Sequence, residues 1–173
     1  MDLLKRFLNE IMIRKVKLCD AEDIVNIYNY YIENTIITFE TLKIDVNEEM
    51  QRIKKILDSN YPFIVYEEEN VVLGYAYLSK WREREAYKNT LETSIYVHKD
   101  HHDRGIGKLL YKELINLGKA QAIHVLIGGM AIPNPRSQKL HKGFGFEKVG
   151  LFKEVGYKFN EYIDVEFWQL NIH

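Results

Sequence analysis

The segment from Leu91 to Met130 limits the possible folds more than any other part of the chain. It opens with the alternating run Leu91 to Val97 and crosses a loop from His98 to Gly105. It then enters a stripe of Ile106, Leu109, Leu110, Leu114 and Leu117, and closes on the unbroken apolar run Val125 to Met130. Alternation predicts a half-buried strand, helically spaced apolar residues predict an amphipathic helix, and the unbroken run predicts a buried strand. A strand, loop, helix and strand in that order belong to a sheet with helices packed on it, and chemistry is expected within this unit.

The same pattern continues on both sides. Ile13, Val16 and Leu18 predict a first strand, and Asp20 followed by Ala21, Glu22 and Asp23 predicts a capped helix start with Ile24, Ile27, Tyr28 and Tyr31 on one face. A second helix is expected from about Asn47 to Leu57, with Asp45 as its cap and Met50, Ile53 and Leu57 as its stripe; Tyr61-Pro62 ends it. The runs Phe63 to Tyr66 and Val71 to Leu78, joined by the polar Glu67 to Asn70, predict an antiparallel hairpin. Pro135 opens a further helix ending near Gly143 and Gly145, and strands follow around Lys148 to Phe152 and Tyr162 to Leu170. The fold class is α/β (α+β) with a mixed sheet.

The chain has 173 residues, 46% of them hydrophobic and 28% charged, which suits one folded domain and argues against disorder. That domain is placed at residues 12–173. Residues 1–11 form an extension in which Leu3, Leu4, Phe7, Leu8 and Ile11 recur at the spacing of a short amphipathic helix; a start at Met12 is the alternative. The net charge is -1 and no run of like charges stands out, so a nucleic-acid partner is disfavoured. No stretch reaches the length of a membrane span, and the first residues lack the pattern of a signal peptide. Cys19 is the only cysteine, which rules out an intrachain disulfide and fits a reducing cytoplasm. His101 and His102 are adjacent and have no carboxylate cluster beside them, so no metal site is expected.

Between strand and helix stands Arg104-Gly105-Ile106-Gly107-Lys108. Glycines let the backbone approach a ligand there, and the free N–H groups and positive dipole end of a helix favour a phosphate. The segment is not a Walker loop, because Gly-Lys-Ser/Thr is missing, nor a dinucleotide fingerprint, because Leu110 takes the place of the third glycine. On spacing alone, a phosphate loop and a plain helix-start turn stand level.

The run from Leu91 through His98-Lys-Asp-His-His-Asp-Arg-Gly-Ile-Gly107 resembles the acetyl-CoA signature of the GNAT superfamily of N-acetyltransferases. Downstream, Ile132-Pro133-Asn134-Pro135, Ser137, Leu140, His141 and Gly143 to Phe146 look like the rest of that pattern. Trp81 to Tyr87, with Val165 to Leu170, is similar to one subgroup, the phosphinothricin and methionine sulfoximine N-acetyltransferases. The resemblance implies a mainly antiparallel mixed sheet of about six to seven strands flanked by about four helices. It also implies acetyl-CoA as co-substrate without a metal, a small-molecule amine as acceptor, and a homodimer. One position departs from the pattern: His102 stands where the superfamily usually has Gln or Arg.

The same resemblance implies the roles of residues. Ile95, Tyr96 and Val97 would offer backbone groups to the pantetheine arm, Asp103, Arg104, Gly105, Ile106, Gly107 and Lys108 would hold the diphosphate, Asn134 would take a pantetheine amide, and Ser137 would bind the cofactor from the helix that flanks the thioester. Glu92 would be the base that takes a proton from the acceptor ammonium, and period-two alternation puts it on one face with Ser94 and Tyr96. His141 would serve as acid for the leaving thiolate or as a positioning group. Phe39, Arg82, Arg84, Tyr87, Glu92, Thr93 and Ser94 would line the acceptor site, with the two guanidinium groups suited to a carboxylate or phosphinate. A plainer reading of the arginines has Glu83 and Glu85 neutralise them at the surface. His98, His101, His102, His124 and His173 are expected at the surface, and Cys19 has no matched base that would make it a nucleophile. Two competing functions remain: transfer to another amine (a protein N-terminus, polyamine or antibiotic), and a non-catalytic acyl-CoA-binding module.

Overall fold

In chain order the elements are β1 (Met12–Lys15), α1 (Ala21–Asn34), α2 (Val46–Asp58), β2 (Phe63–Glu68), β3 (Val71–Lys80), β4 (Thr90–Val97), α3 (Ile106–Ala120), β5 (Val125–Ile132), α4 (Pro135–Gly143), β6 (Glu147–Lys158) and β7 (Glu161–Asn171). The computed structural model describes residues 12–173, so the helical spacing of Leu3 to Ile11 lies outside the described residues. The seven strands form one sheet in the order β1-β2-β3-β4-β5-β7-β6. Every neighbouring pair is antiparallel except β4 and β5. The α3 crossover joins that parallel pair, because parallel neighbours cannot be linked by a tight turn.

Alternation along the strands sends side chains to two cores. On one face, Ile24, Ile27 and Tyr31 of α1 and Ile53 of α2 pack with Phe63, Val65 and Tyr75. On the other, Leu110, Tyr111 and Leu114 of α3 pack with Ile64, Ala76, Leu78, Leu91 and Leu126. Leu110 and Leu114 are fully enclosed, so truncating either to alanine would cost about 2–5 kcal/mol. The Asp45 side chain accepts from the Glu48 N–H at 2.8 Å and starts α2 as its sequence suggests.

The first strand and helix differ from expectation. β1 stops at Lys15, and Leu18 lies in a short 3-10 turn, Leu18–Asp20, 42% exposed. Asp20 does not cap α1 through its side chain. Its carboxylate instead takes two Arg14 donors at 2.8 Å and the Lys17 N–H at 2.7 Å. Burial disfavours that carboxylate, and these donors more than offset the cost, holding its pKa below the usual range. β6 and β7 are also longer than the pattern suggested: they form one long hairpin whose outer strand is mostly exposed.

Candidate active site

β4 and β5 pair only over Thr90 to Glu92 opposite Val125 to Ile127, although β4 runs on to Val97 and β5 to Ile132. Beyond Glu92 the two strands diverge. The wedge between them brings backbone groups from Ser94 to Val97 near the start of α3, which follows β4, and of α4, which follows β5. Among side chains here, Ile95 and Val97 pack toward α3, while Tyr96 packs with Tyr28, Tyr31 and Tyr75 on the opposite face. An extended ligand with an amide-bearing arm and an anionic end fits this arrangement.

At the anionic end, Gly105 precedes α3 with φ at 80°, a left-handed turn that a side chain would strain. It presents the first N–H groups of α3, including those of Ile106 and Gly107, to the mouth of the wedge. Asp103 and Lys108 flank this turn and are exposed. Arg104 is already engaged: its Nη2 donates to both Glu68 oxygens, at 3.0 and 2.7 Å. At the other helix start, Asn134 Oδ1 accepts from the Ser137 N–H at 3.1 Å and caps α4, which fixes its amide at the wedge.

Glu92, Ser94 and Tyr96 share a face, as the alternation predicts, and Ser94 sits opposite Tyr77 on β3. Glu92 is half-buried, and burial raises its pKa above the usual carboxylate range. A Cβ at Gly129 would lie 3.2 Å from both Glu92 Oε1 and the Phe167 ring, so the carboxylate meets an aromatic wall. That wall runs from Phe167 to Trp81, 5.5 Å between ring centroids, and the Arg82 guanidinium lies 5.1 Å above Trp81. Arg82, Arg84, Trp81 and Tyr87 line a cavity of about 470 Å³. Arg82 and Arg84 are exposed, and Glu83 pairs with Lys80 and Glu85 with Lys88, both at 3.1 Å, so among the described residues neither arginine has a carboxylate partner. Phe39 lies against Gly156 of β6, on a loop tied down by Lys158 Nζ donating to the Thr38 carbonyl at 2.8 Å.

Thr93 and His141 are not on this face. Thr93 Oγ1 is 2.9 Å from the Tyr111 hydroxyl and 3.3 Å from the Ile127 carbonyl, buried beneath α3. It therefore supports the strand rather than lining the acceptor side, a correction that follows from the same alternation that exposes Glu92. Gly128 and Gly129 are consecutive on β5, and a Cβ at Gly128 would come within 2.2 Å of His141 Nε2, so His141 and Glu92 lie on opposite sides of the sheet. His141 Nδ1 is 2.8 Å from the Ser137 carbonyl, which can only accept, so the proton sits on Nδ1. Nε2 then accepts from Tyr111, at 2.9 Å. Burial lowers the His141 pKa, which favours the neutral ring.

Three side chains near this site have tertiary partners that the sequence did not show. Tyr111 belongs to the helical stripe by spacing, yet its hydroxyl links Thr93 to His141. Glu49, on α2, is 5% exposed beside Tyr75 and Tyr77, and its burial lifts its pKa to about 7. His102, expected at the surface, is half-buried between Tyr31 and Arg136. A polar residue at an inward helical position is the signal that could have found Glu49.

Residues 13–167 match the family model described as an acetyltransferase (GNAT) domain. The phosphinothricin N-acetyltransferase of Streptomyces viridochromogenes is 33% identical over 92% of this chain and 86% of its own length. The L-methionine sulfoximine/L-methionine sulfone acetyltransferase of Salmonella typhimurium is 31% identical over 92% of this chain and 94% of its own. A crystal structure of a phosphinothricin acetyltransferase from Sinorhizobium meliloti in complex with acetyl-CoA superposes with a TM-score of 0.90 at 33% identity, covering 93% of this chain and 88% of that one. A wedge between parallel strands, a left-handed turn opening a helix and a half-buried strand carboxylate thus occur in a chain that belongs to the GNAT acetyltransferase family.

Proposed function

We propose that this N-acetyltransferase transfers acetyl from acetyl-CoA directly to the α-amine of a small amino-acid analogue of the phosphinothricin, methionine sulfoximine or methionine sulfone type. The observation that carries the acceptor class is the pair Arg82 and Arg84, which has no carboxylate partner among the described residues and stands beside the wall that ends at Glu92. A guanidinium fork holds a carboxylate or phosphinate through paired donors, and two of them neutralise an acceptor with two anionic groups. Phe39, Tyr87 and Ser94 complete the acceptor surface.

Acetyl-CoA supplies the activated acetyl group, and the residues of this chain bind it and manage protons. The N–H groups of Gly105, Ile106 and Gly107 hold the diphosphate, with Asp103 and Lys108 at the edge and Arg104 joining once it leaves Glu68. Backbone groups of Ile95, Tyr96 and Val97 align the arm, with Asn134 and Ser137 beside the thioester. A backbone N–H near Tyr96 and Val97 donates to the oxygen where charge develops. Glu92 accepts the proton of the acceptor ammonium, its raised pKa making it a stronger base than an exposed carboxylate, and the second proton lost as the amine becomes an amide leaves with the thiolate as CoA–SH. His141 acts as a positioning residue: through Tyr111, whose hydroxyl also meets Thr93, it ties α4 to α3 and β4.

With phosphinothricin as acceptor, Arg82→Ala and Arg84→Ala should each raise its KM about tenfold, the effect of one lost charge-assisted bond, and leave the KM for acetyl-CoA in place. Unchanged acceptor KM values in both variants would overturn the anion pocket.

Residues 12–173 constitute the catalytic unit in this reading, and the enzyme works as a homodimer. Val149, Phe152, Val155, Tyr157 and Phe159 of the β6–β7 hairpin, all more than half exposed, supply an apolar surface for a second copy. Light scattering at micromolar concentration should give twice the chain mass; a monomer would remove this part of the proposal. The exposed thiol of Cys19 suits a reducing cytoplasm.

A further inference from the structure

Arg104, Lys108 and Arg136 all bring positive charge to the turn that opens α3, but they are held differently. Arg104 is fastened to Glu68 through both carboxylate oxygens, and its Nη1 lies 2.6 Å from His101 Nδ1. Arg136, the second residue of α4, reaches across the wedge instead. Its Nη1 is 2.6 Å from His102 Nδ1, its Nη2 is 3.3 Å from Asp103 Oδ2, and its side chain is 61% exposed.

A guanidinium can only donate, so His102 Nδ1 is an acceptor and the ring proton sits on Nε2. Nε2 donates to the Tyr31 oxygen at 3.2 Å, and the Tyr31 hydroxyl donates to the Val97 carbonyl at 2.5 Å. The last residue of β4 is thereby tied through Tyr31 and His102 to the Arg136 guanidinium. Burial and the neighbouring Arg136 charge both lower the His102 pKa, so the ring stays a neutral acceptor. Asp103 is the weaker hold, because the pair is long and both partners are exposed. A diphosphate carries more charge than Asp103 and can replace it on Nη2 while His102 keeps Nη1.

We propose that Arg136 is a ligand for the diphosphate of acetyl-CoA, presented over the start of α3 by His102, the position at which this chain departs from the pattern it otherwise resembles. The inference rests on the acetyl-CoA reading. It makes His102 a positioning residue rather than a defect of the loop.

Calorimetric titration of CoA into the full chain, its Arg136→Ala and His102→Ala variants and the double variant tests it. Arg136→Ala should weaken CoA about tenfold. His102→Ala should also weaken CoA, but add little once Arg136 is alanine, because the two act through one contact. The Arg136→Ala loss should persist with 3′-dephospho-CoA. Parent-like affinity in Arg136→Ala, additive losses in the double variant, or a loss that disappears with 3′-dephospho-CoA would each overturn the assignment to the diphosphate. Failure of the parent chain to bind CoA at all would instead overturn the acetyl-CoA reading beneath it.

Discussion

Replacing Glu49 with glutamine should change how stability depends on pH. The carboxyl is 5% exposed on α2, and burial lifts its pKa from 4.5 to about 7, with Glu40 and Glu48 adding to the rise and Arg52 opposing it. Tyr75 and Tyr77 face it from β3 and stay neutral throughout this range. A carboxyl with a raised folded pKa favours the fold as the neutral acid. Its contribution is complete below the unfolded pKa near 4.5, falls as pH rises, and is gone above about 7. At about 1.4 kcal/mol per unit the whole swing is about 3 kcal/mol. Glutamine does not titrate, so urea denaturation at pH 5 and pH 8.5 should show the difference between variant and parent shifting toward the variant by about 2–3 kcal/mol. Any constant cost of packing the amide cancels in that comparison. Stability curves that run parallel between the two pH values would refute the reasoning.

Other outcomes follow from the same geometry. Glu92→Gln should lower kcat at neutral pH by about a hundredfold or more while leaving CoA affinity in place, and in the parent kcat should fall as pH drops through the raised Glu92 pKa; an unchanged rate removes Glu92 from the mechanism. Gly128→Ala forces a Cβ to 2.2 Å from His141 Nε2 and should cost about 1–3 kcal/mol in thermal denaturation. Gly129→Ala, with 3.2 Å to Glu92 Oε1, should cost less stability and more turnover; the reverse order would contradict the placement of the two residues. His141→Ala should lower stability and kcat yet keep the shape of the kcat pH profile, whereas a changed profile would mark His141 as a group that titrates during turnover.

Local periodicity reached most of the fold. The strand face of Glu92, Ser94 and Tyr96, the Asp45 cap and the hairpin around Glu67 to Asn70 follow from spacing within a few residues. Pairings made across the fold did not show in that spacing. Arg104, which local pattern reads as a phosphate ligand, pairs with Glu68, 36 positions away, and His141, read as an acid or positioning group, meets Tyr111, 30 positions away, at Nε2. The motif that marks Thr93 as part of the site does not tell which face carries it, although the alternation does. Glu49 drew no functional reading from local pattern, and His102 stands there only as a departure from the motif, because only tertiary packing gives each its partners.

Steady-state CoA release by the purified chain, with acetyl-CoA saturating, tests the central claim most directly. Phosphinothricin, methionine sulfone and spermidine should be compared as acceptors in the same assay. The account predicts kcat/KM for at least one of the two amino-acid analogues about a hundredfold or more above that for spermidine. Preference for spermidine, or release no faster with any amine than without one, would contradict it.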